Sequence, residues 1–442
     1  MEEDEVLELF EIQHSDLKLL SSPPSCSRLE KMIMENLGPT GPGLLAVTGV
    51  PNASLLRRKL LPLARKLALL SPDDRKRILK EHNLGSDVPL KNPERNVSSF
   101  AMQLRYDQGL ESIETKPNSA EIAQNSSLSL DNLDEDMKGQ FKNLGAVFKE
   151  LGSCMMELGL CFARICDWAI GGHELEQSLL ESCSAKGRLI HYHSTLDSLV
   201  LKQAGRKRGS AKKQANNKIV GGKKHSEGWH LDEKGDEAGP CGIHSNLWQQ
   251  WHYDYGIFTV LTDPMFLSAS HSQETTADDE YLVSSYEECG SPSGHSYLQI
   301  YDPNKNKVLM VKSSPKSFIV QVGESADILS KGRLRSTLHC VRRPSKLESL
   351  SRETFVVFLQ PAWSKTFSVS DYHMDHGGFG HQKLKESEED GLSNQEGNTL
   401  SQEIQKIVPP LSARLKDGMT FAEFSRETTK QYYGGSGLQS NR

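Results

Sequence analysis

The chain has 442 residues, of which 36% are hydrophobic and 25% charged, and a formal net charge of −6. That length allows one large domain with appendages or two to three ordinary ones, and the composition is that of a soluble globular protein. No apolar run approaches the ~20 residues of a membrane span, and a mean hydropathy of −0.52 points to substantial polar loops around the core. The acidic start, "MEEDEVLELFEIQHSD", shows neither a secretory signal nor an Arg-rich transit peptide. Eight scattered cysteines without a C-x-x-C pair suggest reduced thiols in the cytoplasm or nucleus, not a disulfide frame or a zinc site.

In chain order, "GPGLLAVTGVP" (41–51) is a short apolar run bounded by Gly and Pro, which predicts a strand. Helical periodicity follows in "NASLLRRKLLPLARKLALLSPDDRKRIL", with a break at Ser71–Pro72. Residues 107–136 are rich in Ser, Asn and Asp and read as a loop. Next, Phe141, Phe148, Met155 and Phe162 recur every seven residues, and Leu144, Leu151, Leu158 and Ile165 fall three after each. Such a stripe predicts one long helix with a single apolar seam. Because Ala146, Gly152 and Cys154 flank the seam in place of zipper charges, the helix is expected to pack on a sheet of its own chain and not to dimerise.

From about residue 186 the pattern changes to short strands: "GRLIHYHS", "WHYDYGIFTVLT", "SYLQIYD", "KVLMVKS", "SFIVQVG", "STLHCVR" and "TFVVFLQP". Many short strands with Gly, Pro and Asn punctuation suggest a sandwich or barrel. A basic run (202–224), an acidic Ser-rich run (268–293) and a polar stretch (382–402) interrupt the pattern, and "GMTFAEFSRETTKQYYGG" closes it with a helix.

His-x-Asp triplets recur in the chain, among them those at 230–232, 252–254 and 373–375. About one is expected by chance in a chain of this composition, so the triplet alone carries little. Alternation along a strand puts residues i and i+2 on one face, and a metal site needs such a strand to aim its ligands. The triplet at 230–232 runs into turn residues and that at 373–375 sits in a Gly-rich stretch, whereas His252 and Asp254 lie in a strand with more strands to follow. Among those is "RLRSTLHCVRRP", with His339 in another alternating run. Two imidazoles and one carboxylate occupy one face of an octahedron and leave three positions open, the arrangement of non-haem Fe(II) oxygenases. In "SRETFVVFLQP", Arg352 and Thr354 again share a strand face. A guanidinium fork there matches a carboxylate, and the hydroxyl adds a hydrogen bond.

The order His-x-Asp, His, Arg-x-Thr resembles the isopenicillin N synthase-like, 2-oxoglutarate- and Fe(II)-dependent dioxygenases, plant-type branch. "HYDYGIFTVL" keeps every fixed position of that family's "H-x-D-x-G-x-x-T-x-L", and "KGRLRSTLHCV" resembles "NGRYKSVLHRV". "GRLIHYHS" is similar to "LRLNYYPP", with Tyr192 at the second tyrosine and Ile190 where asparagine is usual. Thr354 stands for the usual serine, Glu324 for aspartate after Gly323, and Thr48 for a histidine after the first strand. Longer gaps than usual separate Asp254, His339 and Arg352; the acidic insertion accounts for the first, and "PSKLES" as an enlarged hairpin would account for the second.

The resemblance implies an α+β fold with a double-stranded β-helix (jelly-roll) core, backed by the long helix and N-terminal helices. On this reading residues 1–136 form a mixed cap, 137–178 the long helix and its connection, 179–372 the catalytic core with inserted loops 202–228 and 268–293, and 373–442 a polar linker and C-terminal helix. It also implies Fe(II) on His252, Asp254 and His339. The keto acid end of 2-oxoglutarate would meet the iron, and its far carboxylate would meet Arg352, Thr354 and Tyr192. With dioxygen as oxidant, a small organic substrate would be hydroxylated or desaturated, with release of succinate and CO2. Two other readings stay open: an Fe(II)/O2 oxidase without 2-oxoglutarate, and a non-catalytic binding or regulatory protein. In the latter, the basic run 202–224 would contact nucleic acid or a protein partner; it also reads as a nuclear localisation signal or a plain solvated loop.

Overall fold

The computed structural model describes residues 5–20, 28–86, 96–106, 139–202, 247–269, 286–344, 347–369, 372, 404 and 406–433. The triplets at 230–232 and 373–375 lie outside the described residues, as does the basic run 202–224 beyond Lys202. Among the described residues no helix is long and apolar enough to cross a membrane.

Two sheets make up the core. The smaller contains β1 (Val6–Glu8), β7 (Leu247–His252), β11 (Leu298–Asp302), β12 (Lys307–Lys312) and β14 (His339–Arg342), in the order β1-β12-β11-β14-β7. The larger contains β2 (Glu11–Gln13), β3 (Leu44–Thr48), β4 (Gly85–Ser86), β5 (Val97–Arg105), β6 (Ser184–Tyr192), β8 (Phe258–Thr262), β13 (Phe318–Val322) and β15 (Ser351–Leu359). Its order is β2-β3-β13-β8-β15-β6-β5-β4. A hairpin of β9 (Met265–Ala269) and β10 (Tyr286–Cys289) joins it through β15 and frames the acidic insertion. Strands of the first hundred or so residues therefore pair into both sheets, and β5, absent from the sequence reading, lies beside β6 over its whole length.

The larger sheet is buried on both faces, which is why its strands read as nearly continuous apolar runs. Leu44, Ile190, Leu261, Ile319 and Val356 point inward and meet Trp248, Leu298, Ile300, Leu309, Val311 and Val341 of the smaller sheet. One residue along each strand, Leu45, Leu189, Val260, Val320, Phe355 and Val357 point the other way. They meet the helix Leu144–Ile170, whose seam residues Phe148, Leu151, Met155, Leu158 and Phe162 are buried against them. Phe148 packs edge-on against Phe355 at 4.7 Å between ring centres. The heptad seam thus serves an intrachain helix-on-sheet contact. Gly171, at φ +80°, ends this helix in the left-handed conformation that glycine tolerates best.

Two local expectations differ. The helical stretch after residue 52 forms three helices, Ala53–Leu60, Pro62–Leu69 and Pro72–Glu81, because Pro62 starts a new one as Pro72 does. The segment between β14 and β15 is not an enlarged hairpin: the two strands belong to different sheets, and the chain crosses from one to the other.

Candidate metal centre and anion site

The end of the inter-sheet space is built by β7 and β14, which pair antiparallel with His252 opposite His339. That register brings the two imidazoles together, with ring centres 4.2 Å apart. Asp254 follows just beyond β7; its Oδ1 lies 3.7 Å from His252 Nε2 and its Oδ2 lies 3.9 Å from His339 Nε2. One ligand atom from each of the three residues falls within 4.8 Å of the others, and no other such group occurs among the described residues.

Neighbours hold each donor. The His252 Nδ1 lies 2.7 Å from the Gln250 carbonyl oxygen. A carbonyl can only accept, so Nδ1 carries the proton and Nε2 is the nitrogen left with a free lone pair to accept. Burial, and then His339 beside it, push the His252 imidazole down to about 4 against the pull of Asp254, so the ring is neutral near pH 7, as a metal ligand must be. Thr259 Oγ1 donates to Asp254 Oδ2 at 2.7 Å, fixing the carboxylate. Around His339, Nδ1 is enclosed by the Thr337 carbonyl oxygen at 3.0 Å and the Gln321 amide nitrogen at 2.9 Å, while Nε2 turns to Asp254. The backbone N–H of Glu324 donates to the Asp254 carbonyl oxygen and that of Gly323 to Ile257, which closes the Asp254 loop onto the end of β13. This donor set fits a divalent transition metal: two imidazoles and a carboxylate converge, each with a hydrogen bond behind it.

The second group lies on β15 and β6. Arg352 is 1% exposed, and Nε donates to the Ser296 carbonyl oxygen at 3.0 Å. Its guanidinium carbon sits 5.1 Å from the centre of the Tyr192 ring, its antiparallel register partner. Burial pushes its pKa down from the usual value, with Tyr192 and Asp263 acting against that. Among the described residues no carboxylate forms an ion pair with it. A buried, unpaired guanidinium is costly unless an anion joins it. Thr354, two residues on and on the same face, is buried beside Thr262, with the hydroxyl oxygens 3.4 Å apart. Tyr192 directs its hydroxyl to Gln249 Oε1, donating at 2.9 Å, and Gln249 Nε2 lies 3.0 Å from His252 Nε2. Ile190, at the position where the resemblance leads one to expect asparagine, is part of the inter-sheet core.

Alternation sends the intervening residues to the far side of the larger sheet. There His191 Nδ1 contacts both Glu353 carboxylate oxygens at 2.9 and 3.0 Å, and His191 Nε2 lies 3.5 Å from Asp197 Oδ2. Arg65 pairs with Asp197 at 2.7 Å. Burial alone would lower the His191 pKa, but the Glu353 and Asp197 carboxylates outweigh it and carry the imidazole up to about 9. Asp197 is held well below the usual carboxylate range: burial opposes this, and His191 and Arg65 prevail. Burial pushes Glu353 up, with His191 opposing.

Residues 269–361 match the profile of the 2OG-Fe(II) oxygenase superfamily, a span that contains both His339 and Arg352. That segment of the chain is similar to the 2OG-Fe(II) oxygenase superfamily. Oxygenases of this superfamily use Fe(II), 2-oxoglutarate and dioxygen, and the present chain is a 2-oxoglutarate-dependent oxygenase with a superfamily core of jelly-roll type. Among solved structures, the chain is similar to a full-length Neurospora crassa protein in complex with α-KG and 5-formyluracil, at 14% identity and TM-score 0.45, covering 91% of this chain and 99% of that one. It is also similar to the rice dioxygenase for auxin oxidation, at 16% identity and TM-score 0.44, covering 81% and 85%. Among curated proteins none matches in sequence.

The sequence reading names His252, Asp254, His339, Arg352, Thr354 and Tyr192, and the fold gathers all six around one inter-sheet space. Gln321 and Gln249 are missed, and Thr259 enters only as the fixed threonine of "HYDYGIFTVL", without its role as the donor to Asp254. Gln321 has a readable signal, an amide in the otherwise apolar strand "SFIVQV" two residues before Gly323. Gln249 has none, because a bulge puts it out of strand phase with His252.

Proposed function

We propose that His252, Asp254 and His339 hold the iron and that Arg352, Thr354 and Tyr192 receive the far carboxylate of 2-oxoglutarate. On this reading the two facing sheets are the halves of a double-stranded β-helix of the plant-type branch, and the enzyme hydroxylates or desaturates a small organic molecule in the cytoplasm or nucleus. The observation that carries the proposal is the buried Arg352 guanidinium, without a carboxylate ion-pair partner among the described residues, in the same inter-sheet space as the His–Asp–His group. A dicarboxylate that neutralises Arg352 at one end and meets the triad at the other answers both features at once.

When bound, iron and 2-oxoglutarate supply the oxidising power, with succinate and CO2 as products. The residues of the chain supply geometry. Neutral His252, with its proton tied to Gln250, offers a lone pair without a competing charge. Thr259 keeps Asp254 from rotating away. Arg352, fixed through Nε to Ser296, fixes the distance at which the dicarboxylate can lie. The apolar walls from Ile190, Leu261, Ile319 and Val356 keep water from the reacting end.

The test is succinate release by iron-loaded protein over pools of small metabolites, with His252→Ala as the inactive control. Arg352→Ala should weaken 2-oxoglutarate binding about 10- to 100-fold, the worth of a charge-assisted hydrogen bond of about 1.5–3 kcal/mol. Iron-loaded protein that neither binds 2-oxoglutarate nor releases succinate would overturn the proposal. Substrate oxidation indifferent to Arg352→Ala would instead identify an Fe(II)/O2 oxidase.

A further inference from the structure

Between the triad and Arg352 lies a residue that neither requires as a ligand. In β7 and β14, His252 is opposite His339, but Gln249 is opposite Val341. Three residues of one strand span two of the other, so a β-bulge separates them. Residues three apart would ordinarily face opposite sides of a strand; the extra residue restores Gln249 to the side of His252. Bulges of this kind re-aim side chains beside active sites.

The carboxamide has a defined orientation. Tyr192 Oη donates to Gln249 Oε1 at 2.9 Å, so the other end of the amide, Nε2, is the end 3.0 Å from His252 Nε2. The proton on His252 Nδ1 is committed to the Gln250 carbonyl, which makes Nε2 the acceptor and Gln249 the donor. The N–H therefore occupies the lone pair that a metal would take. A metal there would leave the N–H without its acceptor, while Tyr192 still holds the carbonyl end. Tyr192 in turn lies against the Arg352 guanidinium, so Tyr192 and Gln249 together span from the anion site to the triad. A 2-oxo acid anchored on Arg352 must run along the same line.

We propose that Gln249 is a positioning contact for the cosubstrate: with metal on the triad, its carboxamide N–H donates to the oxo-acid end of 2-oxoglutarate, aimed there by Tyr192. The inference rests on the reading of Arg352 and the triad given above. Gln249 exchanges one acceptor, His252 Nε2, for another that arrives only after the metal, which couples the order of binding to a single side chain.

The test uses full-length protein loaded with Mn(II), with affinities measured by calorimetry for the metal alone, for 2-oxoglutarate on the metal-loaded protein, and for oxalate, which carries only the chelating end. Gln249→Leu should leave metal affinity unchanged or raise it, since the metal no longer displaces an amide. The same variant should weaken both 2-oxoglutarate and oxalate about tenfold or more, one charge-assisted hydrogen bond. Arg352→Ala should weaken 2-oxoglutarate and spare oxalate. Equal cosubstrate affinity in wild type and Gln249→Leu would overturn the proposal, as would a parallel loss of metal and cosubstrate affinity, which marks a residue that merely supports His252. Failure of the wild-type protein to bind 2-oxoglutarate at all would instead strike the functional reading beneath it. Tyr192→Phe supplies a second variant: its loss of oxalate affinity should not add to that of Gln249→Leu, because the two act through one amide.

Discussion

Replacing Glu353 with Gln tests the ionic network behind the anion site. His191 is buried between two carboxylates, Glu353 at 2.9 Å and Asp197 at 3.5 Å, and its pKa stands at about 9 against an ordinary 6.5. That difference corresponds to about 3 kcal/mol of stability. Its sign follows from the direction: a raised imidazole pKa contributes fully below pH 6.5 and loses its contribution as pH rises through about 9. Glu353 is the nearer of the two carboxylates, so Glu353→Gln should cost about 2 kcal/mol at pH 6.5, with Asp197 still in place. The penalty should shrink as pH approaches 9, where the wild-type imidazole itself loses its proton. Urea unfolding followed by tryptophan fluorescence, run on both proteins at half-unit steps of pH, reads the two curves. They should be furthest apart at pH 6.5 and converge toward pH 9. A gap independent of pH, or a wild-type stability that rises across this window, would refute the assignment of a protonated His191.

Two further perturbations act on the frame of the metal centre. A Cβ at Gly323 would overlap the Gly256 carbonyl oxygen and come within 3.0 Å of that of Asp254; because these are backbone atoms that cannot rotate aside, Gly323→Ala should displace the Asp254 loop, cost about 1–3 kcal/mol by overpacking and lower metal affinity. Metal titration of the folded variant checks this, and wild-type affinity would contradict it. Arg414 pairs through both terminal nitrogens with the Glu324 carboxylate, both buried, and also donates to Thr428 of the helix Phe421–Tyr433. Arg414→Met leaves the Glu324 charge buried alone and should destabilise by about 3–5 kcal/mol. Limited proteolysis should then cut first in the C-terminal segment, and an unchanged cleavage pattern would show that this pair does not tether the helix.

The candidate site is legible in the sequence to the extent that its chemistry follows strand phase. Context picks His252 and Asp254 from among several His-x-Asp triplets, and a spacing of two picks Arg352 with Thr354. The long helix is legible because its seam repeats every seven residues without interruption. Phase fails where tertiary structure alters it. Gln249 is hidden by the bulge opposite Val341. Strand β5, "VSSFAMQLR", escapes notice because Ser98, Ser99 and Ala101 are small or polar, although all are buried once the strand lies beside β6. The course of the chain between β14 and β15 depends on which sheet each strand joins, and no local residue pattern encodes that choice.

The alternation of β15 explains how one strand serves binding and stability together. Arg352 and Thr354 point into the inter-sheet space, while Glu353 points outward to His191 and Phe355 packs on the long helix through Phe148. The register partner β6 repeats the division, with Tyr192 and Ile190 inward and His191 outward. The outward residues are tied by an ion network and an aromatic contact, and each tie restrains the backbone from which an inward residue projects. A guanidinium that stays buried without a carboxylate partner among the described residues needs a strand that cannot shift to expose it to water. The His191–Glu353 pair, one residue out of phase with Arg352 and Tyr192, supplies that restraint without placing a competing carboxylate on the binding face.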